Sequence, residues 1–407
     1  MRTRNGREYT MPQVPNDLSR RKKHAGAILR SVTEGGTRKW RAGPMVIPTG
    51  ALKGRISKRW PQTRPVKSTA SKGLFNRANH CYRNALLQCL LHTPKFYHYL
   101  GNIHRHCHEV SQECAVCALQ RLVQFYWNDL VWPQNTQPLR RHVKRLDAAT
   151  KHCIATDHPL YNNIIEDQQT DPHEFIECLL DGIRAKHDCP SLDFEHIFKG
   201  TIQAKFICED CGQNNALPAP ADQMGSGFRY GISVPVHEPE EGLALVQYLR
   251  VLFSNQTAPL KCSSALCNDT ASKPRDIQVV YTDAPEILTI RLQRFRIYFD
   301  EDRKYQEKVI DADVDLEEFL DIGEFTDTGD NVIYRLEGVV AHDCRPDALR
   351  YGGHYIAAVR QYDGRTFCTL NDDQASQQLR GGTLHEMYWP RSYKADFKPY
   401  MLVYSKI

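Results

Sequence analysis

Nothing in these 407 residues approaches the roughly 18–20 consecutive apolar side chains of a membrane-spanning helix, which excludes a helical integral membrane protein. The start of the chain lacks the apolar core of a secretory signal. Acidic residues are nearly missing from residues 1–70, which hold 3 Asp/Glu against 17 Lys/Arg, and cysteine is missing there altogether. No internal repeat recurs.

What is present divides the chain in two. All 14 Cys follow residue 70, in a stretch where 45 Asp/Glu outnumber 36 Lys/Arg. Without a secretory signal these thiols belong in a reducing compartment, and clustered cysteine there points to metal or catalysis before disulfides. The expected location is the nucleus and/or cytoplasm. Residues 1–70 are rich in Arg, Lys, Gly, Pro and Ser and have too little apolar surface to offset the entropy of ordering. They are expected to form a basic, mostly disordered tail. Its Arg20-Arg21-Lys22-Lys23 run serves as a nuclear address, as a contact to an anionic surface such as nucleic acid, or as a solvated tail with no dedicated partner.

From Gly73 the pattern becomes periodic. Tyr82, Ala85, Leu86, Cys89 and Leu90 mark a helix beginning at about Cys81, and Val116, Leu119, Val123 and Tyr126 mark another over Ala115 to Trp127. Asp171-Pro172-His173-Glu174 supplies an acid N-cap, Pro at the first helical position and Glu at the third, the parts of a capping box. Beyond about residue 195 the period shifts towards two. Leu288, Ile290 and Leu292 alternate with polar neighbours, as do Tyr334, Leu336, Gly338 and Val340, and Tyr400 to Tyr404 closes the chain as a buried strand. Helices first and strands later indicate an α+β fold.

Cys81 stands at a helix N-terminus, where unpaired N–H groups and the helix dipole favour a thiolate. His354 follows two glycines at the start of a strand, in Tyr351-Gly352-Gly353-His354-Tyr355, and Asn371-Asp372-Asp373 offers polar groups to orient an imidazole. A nucleophilic Cys early in the chain, with His and Asn/Asp far downstream, fits the papain type of arrangement. The alternatives are a small buried thiol and a structural histidine at a strand end. Cys208-x-x-Cys211 and Cys262-x₄-Cys267 can close a tetrahedral Cys₄ zinc site; four reduced structural thiols are the alternative. A second cluster, with Cys107, Cys114 and Cys117, has the makings of a Cys₃His site, with His104 preferred over His106 and His108 as the fourth ligand.

These segments together resemble the ubiquitin-specific proteases. Gly73 to Leu90 is similar to that family's Cys box and Gln168-Gln169-Thr170-Asp171-Pro172-His173-Glu174-Phe175 to its second box. Leu292-Gln293-Arg294-Phe295, the His box from Tyr334 to Asn371-Asp372, and the closing strand Tyr400 to Tyr404 follow in family order. The resemblance implies a papain-like cysteine protease fold over residues 71–407, with a helical thumb (about 71–195), zinc-bearing β fingers (about 196–285) and a β-sheet palm (about 286–407). It implies hydrolysis at the C-terminal glycine of ubiquitin. Cys81 is then the nucleophile, His354 the base, Asn371 the third triad member, Asp372 an auxiliary acid and Asn76 the oxyanion-hole side chain. Two departures stand out: Ala78 and His80 occupy places where the family has Gly and Thr, so Ala78 is expected to be strained if its φ is positive. The expected partners are ubiquitin or ubiquitinated proteins, with a regulatory complex as a further one and no membrane. The competing functions are a ubiquitin-binding scaffold without turnover and a zinc-containing nucleic-acid adaptor.

Overall fold

The computed structural model describes residues 56–60, 71–103, 114–127, 137–186, 194–198, 200–217, 230–237, 242–254, 256–265, 267, 271–299, 305–343, 345, 353–375 and 397–407. Among the described residues seven helices come first: α1 Cys81–Leu91, α2 Pro94–Ile103, α3 Ala115–Tyr126, α4 Gln137–Cys153, α5 Tyr161–Ile165, α6 Pro172–Lys186 and α7 Glu195–Phe198. Asp171 caps α6 as the sequence predicts: its Oδ1 accepts the N–H of His173, the second helical residue, at 2.9 Å, and Glu174 Oε2 reaches back to the Asp171 N–H at 3.4 Å. α4 escapes an apolar-periodicity search because its outer face is basic. It still buries Leu139, Val143, Leu146 and Thr150 along one side. No described helix is long and apolar enough to cross a membrane.

Two sheets follow. Strands β1 Thr201–Ile207, β2 Asn214–Leu217, β5 Gln256–Leu260 and β6 Lys273–Asp283 form one antiparallel sheet in the order β2-β1-β6-β5, the fingers. The palm is the larger sheet. It contains β3 Ile232–Pro235, β7 Ile287–Gln293, β12 Ile333–Asp343, β13 Tyr355–Arg360, β14 Phe367–Asn371, β15 Gln374–Ala375 and β16 Phe397–Lys406, ordered β15-β14-β13-β12-β16-β7-β3. A short β11, Phe319–Asp321, also pairs with β12. The pairs β4 Leu243–Ala244 with β10 Val314–Asp315, and β8 Phe295–Phe299 with β9 Tyr305–Val309, lie outside both sheets, as does helix α8, Leu245–Leu252. This is the expected α+β architecture of thumb, fingers and palm.

α1 is the axis of the fold. Every one of its residues is buried, because the helix runs against β12, β13 and β14 on one side and α2 and α6 on the other. Its approach to β12 needs Gly338, where a Cβ would come within 2.7 Å of the Cys89 side chain. Covering both faces of the central strands also buries Thr289 of β7, although the alternation had placed it on a polar face.

Five residues of the basic stretch 1–70 belong to the described structure. Residues 56–60 dock on the thumb: Ile56 is buried, and Trp60 stacks on Tyr362 at 5.4 Å and lies 4.8 Å from the Trp127 ring. The Arg59 carbonyl accepts a hydrogen bond from His98 Nε2 at 2.7 Å. The remainder of 1–70 lies outside the described residues. Trp60→Ala is therefore expected to lower unfolding free energy by about 2–3 kcal/mol, read from chemical denaturation of the full chain. A change below about 0.5 kcal/mol, the range of ordinary surface substitutions, would mean that this segment does not brace the domain.

Candidate active site and metal-binding cluster

Local structure converges on the first turn of α1. Cys81 is its first residue and is nearly enclosed, at 4% exposure. The antiparallel pairing of β13 with β14 brings in two more groups: His354 immediately precedes β13 and Asn371 ends β14. His354 Nε2 sits 2.8 Å from Asn371 Oδ1; a carbonyl oxygen only accepts, so Nε2 carries the proton and Nδ1 is left for the thiol. Burial pulls the His354 pKa down. Hydrogen bonds to Cys81 and Asn371, and the negative charges of Cys81 and Asp372, outweigh that and hold it at about 9. Near pH 7 the imidazole is thereby held towards its protonated form.

The segment before α1 is stitched to the turn after β14. The Leu74 N–H donates to the Asp372 carbonyl at 2.7 Å, and a Cβ on Gly73 would lie 2.2 Å from the Asp373 backbone, so only glycine passes there. This seats Asn76. Its Oδ1 accepts the N–H groups of Ala78 and His80, both at 3.1 Å, and its Nδ2 donates to Asp372 Oδ2 at 3.0 Å. An amide nitrogen has two hydrogens, so one remains for a substrate oxygen.

Asp372, expected as an auxiliary acid that supplies charge near His354, also has a structural task. Its carboxylate accepts from Asn76 and, at 2.8 Å, from Asn84 Nδ2, while its charge reaches His354 only through space. Its backbone has φ 48°, an unusual conformation for a non-glycine residue, braced by Gln88 Nε2 donating to its carbonyl at 3.0 Å. Asn84 and Gln88 were missed as site residues. The signal for them was present: Cys81, Asn84 and Gln88 fall at i, i+3 and i+7, one polar stripe on a helix that is apolar elsewhere apart from Arg83.

The departures from the family pattern leave the backbone before α1 free of positive φ. Ala78 does not have positive φ and is exposed, so the expected strain is absent. His80 points its Nε2 to Asp167 Oδ1 at 3.1 Å; burial first, then the Arg83 charge, lowers its pKa to about 4, so it is neutral near pH 7. Arg83 pairs with Asp147 of α4 and donates to Asn84 Oδ1 at 2.9 Å. Gly353 has φ +69°, and a Cβ there would collide with the His342 ring at 2.2 Å, so glycine is obligatory next to His354. Gly352 lies outside the described residues.

At the tip of the fingers, Cys208, Cys211, Cys262 and Cys267 place their sulfurs within 4.8 Å of one another. The Cys208–Cys267 and Cys211–Cys262 sulfurs are 3.7 Å apart. The sulfur–sulfur edge of a tetrahedral site with Zn–S of about 2.3 Å is about 3.8 Å, so the donor set fits a metal ion of that kind. The four-residue spacer of Cys262 and Cys267 does not prevent closure. The Ser264 N–H and Asn215 Nδ2 donate to Cys262 Sγ at 3.4 and 3.6 Å; the Ser264 bond is the larger of these causes that lower the Cys262 pKa to about 7. In the second cluster, Cys114 caps α3, its sulfur accepting the Cys117 N–H at 3.4 Å. His104, His106, Cys107 and His108 lie outside the described residues.

Comparison with known proteins places this geometry in context. A family model described as ubiquitin carboxyl-terminal hydrolase matches residues 72–404. Ubiquitin carboxyl-terminal hydrolase 23 of Arabidopsis thaliana is 26% identical over 321 residues, covering 75% of this chain and 33% of that protein. Ubiquitin carboxyl-terminal hydrolase 17-like protein B of Mus musculus is 24% identical over 306 residues, covering 72% of this chain. The chain thus spans 33% and 58% of the length of these two curated relatives. Among solved structures, the SAGA Ubp8/Sgf11/Sus1/Sgf73 DUB module bound to ubiquitin aldehyde shares the fold, with a TM-score of 0.59 at 18% identity, covering 83% of this chain and 69% of that one.

Proposed function

The chain belongs to the ubiquitin carboxyl-terminal hydrolase family, and from that premise we propose that it is a thiol-dependent deubiquitinase cleaving isopeptide or peptide bonds at the C-terminal glycine of ubiquitin. The observation that carries this reading is His354, bonded to Asn371 through Nε2 and coupled to Cys81 at the first turn of α1.

In the proposed reaction the Cys81 thiolate attacks the glycine carbonyl carbon. The spare Asn76 hydrogen, with backbone N–H groups of the α1 turn, stabilises the oxyanion. His354 gives its Nδ1 proton to the departing lysine amine as the C–N bond breaks, leaving a thioester. A water molecule then attacks, His354 taking its proton, and the thiolate leaves. Asn371 keeps the imidazole in the required tautomer. Asp372, held by Asn84 and Gln88, fixes the Asn76 amide. The scaffold alternative drew on Ala78 and His80, and neither disturbs this arrangement. We also assign the Cys208, Cys211, Cys262 and Cys267 cluster to structural zinc: the four thiolates hold the ion and the ion supplies the cross-link that a small sheet lacks. Accessory subunits, as in the Ubp8 assembly, belong to the same proposal.

The test is hydrolysis of ubiquitin carrying a fluorogenic C-terminal amide. Turnover is expected, with kcat/KM falling above about pH 9, because His354 must be protonated to expel the amine and its pKa is about 9. Asn371→Ala removes a bond that raises that pKa, so the alkaline limb moves to lower pH. Ubiquitin binding without turnover would establish the scaffold reading instead.

A further inference from the structure

The helix pair α3 and α4 carries a positive face that lies outside the chemistry described above. Between them the two helices hold six Lys/Arg and one acid, Asp147, which is turned onto Arg83. Lys151 is matched by Asp167 at 2.7 Å, and the Arg140 guanidinium lies on the Phe75 ring at 3.9 Å. No described carboxylate forms an ion pair with Arg121, Arg141 or Arg145.

Packing gathers these three. Phe125 of α3 stacks on His142 of α4 at 3.9 Å and 23°. Arg121 lies one helical turn before Phe125; Arg141 is next to His142, and Arg145 is one turn beyond Arg141. Their mutual field is visible in their surroundings: burial, then Arg145, Arg141 and Arg121, lower the His142 pKa to about 4. Burial together with Arg121 and Arg141 also lowers that of Arg145. Three guanidiniums held together without a counter-charge among the described residues cost stability that an anionic partner would return.

The face adjoins the active site. Arg140 rests on Phe75, the neighbour of Asn76, and Asp147 anchors Arg83, two residues from Cys81. We propose that Arg121, Arg141 and Arg145 form a docking surface for an acidic, Asp/Glu-rich segment of the protein to which ubiquitin is attached. This rests on the deubiquitinase reading, because it names the substrate class for that site. A polypeptide fits better than nucleic acid. Phosphate-backbone affinity grows with each phosphate neutralised, and three arginines neutralise few. Single strands need exposed aromatic platforms, and the Phe125 ring is covered by His142.

The test compares the full chain with its Arg121→Gln/Arg141→Gln/Arg145→Gln variant on three substrates. These are ubiquitin with a small fluorogenic amide, ubiquitin isopeptide-linked to a lysine peptide flanked by Asp/Glu, and the same conjugate with Asn/Gln flanks. The wild type is expected to prefer the acidic conjugate about tenfold in kcat/KM, the effect of three modest ion pairs. The preference should collapse at about 0.5 M salt, where screening is nearly complete within a few Å. The variant should lose it while keeping small-amide turnover within about twofold of wild type. No preference in the wild type, or an equal loss on all three substrates, overturns the proposal. So does competition by DNA or RNA that exceeds competition by the free acidic peptide. Failure of the deubiquitinase reading shows separately, as absent turnover of the small amide. In that event anisotropy of the labelled acidic peptide decides: binding lost in the variant upholds the surface, and no binding to wild type overturns it.

Discussion

Cys81→Ala abolishes turnover of ubiquitin amides, with kcat/KM falling by about 10⁴-fold or more, while ubiquitin binding survives. The expectation follows from where the sulfur sits. Cys81 begins α1 but does not cap it: the Asn84 N–H is satisfied by the His80 carbonyl, and Asn76 fixes the approach to the helix from outside. Removing one sulfur atom therefore leaves the helix, Asn76 and the Asp372 links in place. It removes the only group His354 can activate at this position, and with it the Cys81 charge and hydrogen bond that hold the His354 pKa up. The variant should melt as the wild type does, should fail to form an adduct with ubiquitin bearing a thiol-reactive C-terminal group, and should still bind unmodified ubiquitin. Retained turnover would dismiss Cys81 as nucleophile. Loss of binding together with turnover would show that the substitution damaged the fold, which its position does not predict.

Stripping metal from the fingers is the second large effect. Structural zinc in small Cys-rich sites contributes apparent binding free energies of roughly 10–16 kcal/mol, comparable with the whole stability of a domain. The four-stranded fingers sheet buries few large apolar side chains near Cys211 and Cys262, and Ile207, beside the cluster, is 55% exposed. The cross-link among Cys208, Cys211, Cys262 and Cys267 is thus expected to hold the strand ends together. Elemental analysis of the purified chain should find at least one zinc per molecule. The Cys208→Ser/Cys211→Ser variant should lose one equivalent and show an earlier melting transition. A strong chelator should reproduce that shift in the wild type and leave the variant less affected. If the metal-free chain melts and turns over as before, the cluster is four reduced thiols and the zinc assignment falls. Zinc that remains in the variant would locate a further equivalent away from the fingertip, where Cys107, Cys114 and Cys117 are the sequence's other candidates.

Much of this protein is written locally. The start of α1 at Cys81, the helix cap at Asp171 and Glu174, and the strands around Leu288, Tyr334, Tyr355 and Tyr400 follow from periodicity and capping chemistry, which act over a few residues. So do the paired cysteines of the fingers. The order of the boxes was enough to name the family. What the sequence by itself could not determine is which groups meet across long separations. Asn76 and Asp372 are 296 positions apart, and their contact depends on how the β14 turn packs against the segment before α1. That packing gave Asp372 a task beyond the auxiliary charge its place in the motif implied, and it recruited Asn84 and Gln88. It also decided the charge of His80, because burial and the Arg83 charge outweigh Asp167 there. Trp60 joined the domain for a similar reason: a single aromatic in a basic stretch has no period of its own, and only the presence of Tyr362 and Trp127 at the right place makes burying it favourable. Periodicity is a property of neighbours along the chain; desolvation and hydrogen-bond partners are properties of neighbours in space, and only the tertiary structure brings those together.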